Sequence, residues 1–267
     1  MFGKNNKKEV YDIIFSMGTI CANTTTLRKC NLQDYSFPWD WIGGIELKGR
    51  FEEMINGFPD WFHVEDFVKT GSRLHPEPCD IYKNTRKDLL FVHDFPLNVP
   101  IEESLPTVKA RYERRQKRMM ECINKAKRIL FVYMIPSWED NKYTIDYLKE
   151  CHKYISEKYP DKEIRIKYFY SSKEEPEHII DGGVEILKFN YESLSENPQP
   201  GEVNNKALRD KFKNVRLKRE FSFKRIMNFI FNYRVSKRDY TTKITVTVLG
   251  LTFQKKIRKP VENAVNE

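Results

Sequence analysis

Residues 129–135 read ILFVYMI, a continuous run of uncharged, mostly aliphatic and aromatic residues. Such a run is typical of a strand that is buried on both faces, as in a parallel sheet. A helix is predicted over Thr144–Tyr159, and further strands are predicted over Glu163–Tyr170 and Val184–Asn190. The order of strand, helix and strand is that of a βαβ unit, and it predicts an α/β fold.

Another strand and helix are predicted near the start of the chain. Val10–Ser16 (VYDIIFS) is rich in β-branched and aromatic residues, and a tight turn follows at Met17–Gly18. Cys21–Cys30 is compatible with a helix, and Ser104–Arg128 predicts a long one. For residues 1–197 these elements predict a mixed or mostly parallel sheet flanked by helices.

The region between these helices is predicted to be mixed. Residues 45–69 look helical and amphipathic, with a loop around Gly57–Pro59. Asp80–Tyr82 and Leu89–His93 are candidate strands, and the polar turn between them suggests that they pair.

The C-terminal part is expected to be a separate basic tail, residues 203–267, joined by the linker NPQPGE (197–202). Residues 221–233 (FSFKRIMNFIFNY) place most of their apolar side chains on one arc of a helix, which predicts an amphipathic helix. Lys243–Leu249 and Leu251–Ile257 predict a terminal hairpin.

The positive charge of the chain is concentrated in this tail. Residues 211–260 carry fifteen Lys or Arg and two acidic residues, whereas the whole chain has a net charge of +9. This asymmetry predicts an anionic membrane surface as a partner of residues 221–259. The alternative is a helix docked on the body with a solvated basic face. No specific nucleic acid is expected, because no nucleic-acid-binding module accompanies the charge.

Composition excludes several classes of protein. With 267 residues and 40% hydrophobic residues, the chain can bury a core, so global disorder is excluded. No apolar run approaches the roughly 20 residues of a transmembrane helix. We expect a cytoplasmic protein without a secretion signal, attached peripherally to the inner face of the membrane. Five cysteines without a CxxC pair predict neither a disulfide framework nor a zinc site. No metal and no cofactor is predicted.

A thiol stands at the predicted strand-to-helix junction SMGTIC (16–21). At a helix N-terminus, the helix dipole and free amides lower the pKa of a cysteine, which favours Cys21 as a nucleophile. The turn amides, with Ser16 or Gly18, can stabilise an oxyanion. The structural alternative is a small buried cysteine that packs the first turn of the helix.

A nucleophilic thiol needs a base, and His93 is the histidine in the most suggestive setting. It closes the apolar run LLFVH (89–93) and precedes a turn, so its ring can face a cleft. Asp94 is a candidate to orient the imidazole if the strand ends at His93. Asp40, between two tryptophans, is a competing candidate. A structural histidine is the alternative interpretation.

Four arginines of the predicted long helix form a possible anion-binding group: Arg111, Arg114, Arg115 and Arg118. Two or three guanidinium groups on one face can bind the phosphate of a sugar nucleotide. The alternative is a solvated basic face.

Several motifs occur together in fixed order: SMGTIC (16–21), LRKCNLQDYSFPWDWI (27–42), Tyr82–Asn84, FVHDFP (91–96) and RYERRQKR (111–118). In this combination the chain resembles, over about residues 10–135, a bacterial family of papain-like cysteine peptidases. FPWDW (37–41) stands where that family has Pro-Phe-Asp-Trp, so the Asp-Trp pair matches and the preceding Phe is a Trp. The resemblance implies that Cys21 is the nucleophile and His93 the base.

The tail is similar to the C-terminal tails of bacterial enzymes that build surface polysaccharides. We therefore expect a thiol hydrolase or acyl-transfer enzyme with a Cys-His dyad, linked to bacterial surface-polysaccharide biosynthesis. One alternative is a metal-independent sugar or phospho-sugar transferase, in which the arginine helix binds the donor and Cys21 is structural. Another is a non-catalytic scaffold for polysaccharide assembly.

Overall fold

The structure is a computed structural model, and it describes residues 8–19, 21–75, 77–136, 143–192, 203–219, 231–238, 241–249 and 251–258. The chain divides into two compact units, Met1–Arg73 with Pro78–Lys218 and Leu74–Glu77 with Arg219–Glu267. The expected linker, residues 197–202, lies outside the described residues. The segment that follows it, from Val203 to Lys218, belongs to the first unit.

The first unit contains both helices and strands. Its helices, within the described residues, are α1 (Cys21–Lys29), α2 (Leu47–Ile55), α3 (Ile101–Lys125), α4 (Ile145–Lys158) and α5 (Asn205–Lys211). Its strands are β1 (Glu9–Tyr11), β2 (Ile13–Thr19), β3 (Ile42–Gly44), β4 (Phe67–Arg73), β5 (Cys79–Asn84), β6 (Leu89–Pro96), β7 (Arg128–Ile135), β8 (Glu163–Tyr170), β9 (Glu177–Asp181), β10 (Val184–Lys188) and β11 (Val215–Leu217).

The main sheet has the order β2-β7-β8-β10-β9. The first four strands are parallel, and β9 pairs with β10 in the antiparallel sense at the edge. The predicted βαβ unit is confirmed, since β7 and β8 are parallel neighbours that α4 connects. With its mixed sheets and flanking helices, the protein has an α/β fold, as predicted.

The first predicted strand is in fact two strands that belong to different sheets. β1 pairs with β11, whereas β2 pairs with β7. Asp12 separates them, because its carboxylate accepts hydrogen bonds at 2.9 Å from the amides of Lys127 and Arg128. This bend ties the start of β2 to the start of β7.

A second, antiparallel sheet has the order β3-β6-β5-β4. The predicted pairing of the segments around residues 80–82 and 89–93 is confirmed as β5 and β6. The helix predicted within residues 45–69 is α2, which ends at Ile55, and the predicted loop at Gly57–Pro59 follows it; residues 67–69 are not helical. They begin β4, an edge strand with mostly exposed side chains and therefore little apolar pattern.

Two apolar cores cover the two faces of the main sheet. On one face, α2, α3, α4 and the second sheet pack around residues such as Phe15, Phe131 and Tyr168. On the other face, α1 and α5 pack against Ile14 and Val132. The main sheet is thus covered on both faces, as expected for parallel strands.

The second unit contains a three-stranded antiparallel sheet, β12 (Phe231–Arg238), β13 (Thr241–Val248) and β14 (Leu251–Arg258). The two predicted strands are confirmed as β13 and β14. The helix predicted over 221–233 is wrong at its end, since residues 231–233 are in β12; residues 221–230 lie outside the described part of the chain. No helix among the described residues has the length and apolar character that crossing a bilayer requires.

Candidate functional site

Cys21 is the first residue of α1 and follows the carboxyl end of β2. In open α/β sheets, ligands bind at this edge. The junction is held by Asn23, whose fully buried amide donates to the carbonyl oxygens of Gly18 at 3.0 Å and Val132 at 2.7 Å. Thr19 Oγ1 donates to the carbonyl of Met134. These bonds fix the start of α1 to β7, in the middle of the sheet.

The turn before Cys21 packs against a buried arginine. Gly18 has a φ of +92°, and a Cβ at this position would lie 2.5 Å from Arg50 Nη1. The guanidinium of Arg50 donates to the backbone carbonyls of Ile42, Gly44 and Ile45. The centroid of the Trp39 ring lies 5.0 Å from Cζ of Arg50. Gly18 is required here because only glycine fits both the backbone conformation and the space.

Cys21 itself is half-buried, and opposing influences act on its thiol. Burial raises the pKa of Cys21, while the charge of Arg73 and the backbone amides of Cys21 and Ala22 lower it. The net pKa lies above the ordinary value, because burial is the largest influence. The predicted effect of the helix N-terminus is therefore present, but it does not make Cys21 a thiolate in the resting site.

The two candidate oxyanion residues occupy different positions. Ser16 is fully buried within β2, and its Oγ has no hydrogen-bond partner among the described residues. Gly18 directs its carbonyl to Asn23. The donors that face the sulfur are instead the amides of Cys21 and Ala22.

His93 lies in β6, half-buried, with its ring held from two sides. Arg73 Nη2 lies 2.8 Å from His93 Nδ1, and the Trp41 ring meets the imidazole edge to face with centroids 5.5 Å apart. Because a guanidinium has only donors, Nδ1 accepts this bond and the proton of the neutral ring is on Nε2. Nδ1 is therefore occupied as long as this contact lasts.

Arg73 connects the two predicted catalytic residues. It bonds to His93 and lies close enough to Cys21 for its charge to lower the pKa of the thiol. In the β4–β5 pairing, Arg73 is also opposite Cys79, whose pKa it lowers against the larger effect of burial. Arg73 thus contacts the imidazole of His93 and acts through its charge on the thiols of Cys21 and Cys79.

Asp94 is not placed to orient His93. Strand β6 continues to Pro96, and its pairing with β5 is irregular between Phe91 and Phe95. Its carboxylate accepts hydrogen bonds from Arg111 Nη1 at 2.8 Å and from the buried Tyr112 hydroxyl at 2.7 Å. Asp94 thereby attaches β6 to α3. Its predicted role of orienting the imidazole required the strand to end at His93, and the strand does not end there.

Asp40 is almost completely buried in a hydrogen-bond network of its own. Its carboxylate accepts from Gln33 Nε2 and the Phe37 amide at 2.9 Å and from Arg28 at 3.3 Å. Burial raises its pKa, and these hydrogen bonds oppose the rise. The network fixes the loop that presents the neighbouring Trp41 to His93, so the contact with the imidazole comes from Trp41.

The arginines of α3 divide between the interior and the surface. Arg111 binds Asp94, and Arg118 donates to the Ser36 carbonyl at 2.8 Å. Arg115 is buried, with its Cζ 4.7 Å from the Tyr112 ring centroid, while Arg114 is exposed. Three of the four predicted arginines therefore pack against the protein. Arg111 and Arg118 donate to protein oxygens, and Arg115 lies against the Tyr112 ring.

Sequence reasoning missed Arg73, Trp41 and Cys79 as members of the site. Arg73 ends a strand with no apolar pattern, and its proximity to His93 depends on the pairing of β4, β5 and β6. Trp41 lies in the motif FPWDW, in which the sequence favours Asp40 as the functional residue. The register of β4 against β5 would have been needed to find Arg73 and Cys79.

The fold and this site define an α/β protein with a cysteine at the carboxyl edge of its parallel sheet. Residues 12–171 match the family described as "Putative papain-like cysteine peptidase (DUF1796)". The match covers more than half of the chain, and the protein belongs to this family. No curated protein and no solved structure matches the chain.

Proposed function

We propose that the protein is a thiol-dependent hydrolase or acyl-transfer enzyme in which Cys21 is the nucleophile and His93 the base. The observation that carries the proposal is Arg73, which bonds to His93 and acts on the Cys21 thiol. In nucleophilic catalysis by cysteine, a base such as an imidazole takes the proton of the thiol. Membership of a cysteine-peptidase family supports the same chemistry.

The proposed reaction begins when the imidazole takes the Cys21 proton at Nδ1, which requires Arg73 to leave that nitrogen. The sulfur then forms a bond to the carbonyl carbon of the substrate, and the oxyanion accepts from the amides of Cys21 and Ala22. As the bond to the leaving group breaks, the imidazolium gives the leaving group its proton. Water, or another acceptor, then releases the acyl group from sulfur and regenerates the thiol.

The transferase alternative receives less support from the geometry. It needs guanidinium groups of α3 that face a ligand. Arg111 and Arg118 donate to Asp94 and to the Ser36 carbonyl instead. These contacts favour a structural role for that face of α3.

The test measures the alkylation rate of each cysteine by peptide mass spectrometry, with both iodoacetamide and iodoacetate at neutral pH. With at least one of the two reagents, Cys21 should react faster than Cys30 and Cys122, which are also half-buried. His93→Asn should reduce the faster rate of Cys21 to the level of those two cysteines. His63→Asn, at an exposed histidine, is the matched control and should change nothing. If His93→Asn alters neither rate, the dyad is absent.

We also propose that the second unit attaches the protein to an anionic membrane surface. Directly paired residues in an antiparallel sheet share a face, and the pairings place the following apolar residues on one face: Phe231, Tyr233, Val235, Val248, Leu251, Phe253 and Ile257. Each of these side chains is between 41% and 67% exposed. A soluble monomer seldom exposes so continuous an apolar surface.

Charge complementarity selects lipid as the occupant of this face. The described strands of the second unit contain seven Lys or Arg and no acidic residue. Phe231, Leu251 and Leu249 lie at the end that carries the β13–β14 turn, while Lys255 lies four residues from Leu251, or roughly 13 Å along the strand. This spacing allows the apolar end to enter the interface while Lys255 meets the headgroups.

Co-sedimentation with vesicles that contain anionic lipid tests this attachment. Phe253→Glu should abolish binding, whereas Gln254→Glu makes the same change of charge on the opposite face and should weaken binding only slightly. Binding of the unchanged protein should fall as salt rises, because screening shortens the reach of the lysines. Equal loss in both variants would assign binding to charge alone, and no binding by the unchanged protein would exclude the attachment.

A role in bacterial surface-polysaccharide biosynthesis, at the inner face of the cytoplasmic membrane, is part of this proposal. Its support is the likeness of residues 221–259 to the tails of enzymes that build such polysaccharides. Replacement of Cys21 by Ala in the host cell should reduce surface polysaccharide, whereas Cys30→Ala should not. An unchanged amount in the Cys21→Ala strain would separate the enzyme from that pathway.

A further inference from the structure

The resting site holds its base in an inactive state, although all the parts for thiol chemistry are present. Burial keeps the Cys21 thiol protonated at neutral pH. The nitrogen of His93 that could take this proton accepts a 2.8 Å hydrogen bond from Arg73. A neutral imidazole with its proton on Nε2 and a donor at Nδ1 cannot accept a further proton.

Release of His93 requires another acceptor for Arg73. Arg73 is only half-buried, so part of its side chain is open to a ligand. Its Nε is buried and makes no hydrogen bond among the described residues. A guanidinium forms its strongest contacts with carboxylate and phosphate oxygens, which accept from two of its nitrogens at once.

Among the described residues, the two carboxylates nearest in the strand pairing bind other groups. Asp94, the acidic residue next to His93, directs both oxygens to Arg111 and Tyr112. Asp80, which lies across from Ser72 in the β4–β5 pairing, binds Ser72, Lys69 and the Asn98 amide. Both neighbouring carboxylates therefore bind other donors, while Arg73 contacts an imidazole, a weaker partner than a carboxylate.

We propose that the substrate of Cys21 carries an anionic oxygen group, carboxylate or phosphate, which binds Arg73 and thereby releases His93 Nδ1. This proposal rests on the proposed thiol function and adds the substrate class to it. Binding of the anion and activation of the nucleophile are then one event. A neutral molecule that reaches Cys21 meets a protonated thiol with an occupied base.

The pair iodoacetate and iodoacetamide tests this directly, because the two reagents differ in a carboxylate and share the same reaction. In each, sulfur displaces iodide, and the thiol proton leaves to the imidazole or to water. At Cys21 the rate ratio of iodoacetate to iodoacetamide should exceed the ratio at Cys30 and Cys122 by about tenfold or more, the lower end of what a charge-assisted hydrogen bond contributes.

Arg73→Gln should reduce the ratio at Cys21 to that of the other two cysteines. The matched control is Arg86→Gln, an exposed arginine in the β5–β6 turn that loses the same charge and should keep the ratio. Arg73→Lys should retain part of it, since the charge remains and the two-nitrogen contact is lost. An unchanged ratio in Arg73→Gln would overturn the proposal, as would an ordinary ratio in the unchanged protein.

Added anions give a second measurement that needs no variant. Acetate or inorganic phosphate bound at Arg73 should slow iodoacetate by competition and accelerate iodoacetamide by releasing His93. The anion that acts at the lower concentration identifies the group as carboxylate or phosphate. Equal slowing of both reagents, or no effect on either, contradicts the proposal. If the alkylation rate of Cys21 depends on His93 with both reagents but shows no preference for iodoacetate, the proposed thiol function stands and only the anionic substrate is refuted.

Discussion

Replacement of Gly18 by alanine tests how the turn before Cys21 is built. The residue has a φ of +92°, and an added Cβ would lie 2.5 Å from Nη1 and 2.8 Å from Cζ of Arg50. Arg50 cannot move away easily. It is fully buried, and its guanidinium is held by backbone carbonyls at 2.7 Å (Gly44) and 2.9 Å (Ile45).

Two separate costs contribute to the expected loss of stability. An alanine at positive φ costs about 1–2 kcal/mol. Forcing a methyl group into a packed core costs about 1–3 kcal/mol more. The free energy of unfolding of Gly18→Ala should therefore fall by roughly 2–5 kcal/mol, the sum of these two ranges.

The chain supplies controls that separate the two costs. Gly57 has a φ of +77°, but a Cβ there would have nothing within 4 Å, so Gly57→Ala measures the backbone cost alone. Gly71 has neither positive φ nor close neighbours, and Gly71→Ala should be nearly neutral. Urea unfolding, followed by tryptophan fluorescence, gives the three values. Equal losses in Gly18→Ala and Gly57→Ala would refute the tight contact with Arg50.

Two further predictions concern buried titratable groups. Asp94→Asn should lower the free energy of unfolding by about 2–3 kcal/mol, because it weakens the bonds to Arg111 and Tyr112; Asp88→Asn, at a 59% exposed side chain paired with Lys83, should cost less than about 1 kcal/mol. Similar losses in urea unfolding would contradict the structural role of Asp94. Burial raises the pKa of Cys151 to about 11, so the folded state retains a proton that the unfolded chain releases, and stability should fall by about 2 kcal/mol between pH 9 and 11. The free energy of unfolding of Cys151→Ala should fall less over that interval than that of Cys30→Ala. If the two variants lose the same amount, Cys151 is not the cause of the pH dependence.

The main sheet was predictable because its signals are local and strong. The run 129–135 contains no charged residue, and all seven of its residues are buried. Arg128, the first residue of β7, is only half-buried. The break at Asp12 was not predictable, since the carboxylate interrupts the strand only by binding amides more than a hundred residues away. Periodicity within a segment carries no information about such a partner.

The start of β12 illustrates a competition between two periodicities. The apolar residues of 221–233 fit one arc of a helix, but Phe231, Tyr233 and Val235 also alternate as in a strand. Pairing decides between them, because Phe231 and Tyr233 lie opposite Val248 and Val246 of β13. A window that ended at residue 233 contained too little of the alternation to show it.

The candidate site shows where a sequence loses its predictive power. Cys21 and His93 stood out because each sits beside a local signal, a strand-to-helix turn and the end of an apolar run. Arg73 had no such signal, yet it contacts the Nδ1 of His93, the nitrogen through which we propose that this histidine acts as a base. Net charge would not have found it, since the excess of basic residues lies in the C-terminal part of the chain. The effect of Arg73 depends on where the antiparallel sheet places a single guanidinium, against the imidazole that we propose as the base and near enough to the Cys21 thiol to affect its pKa.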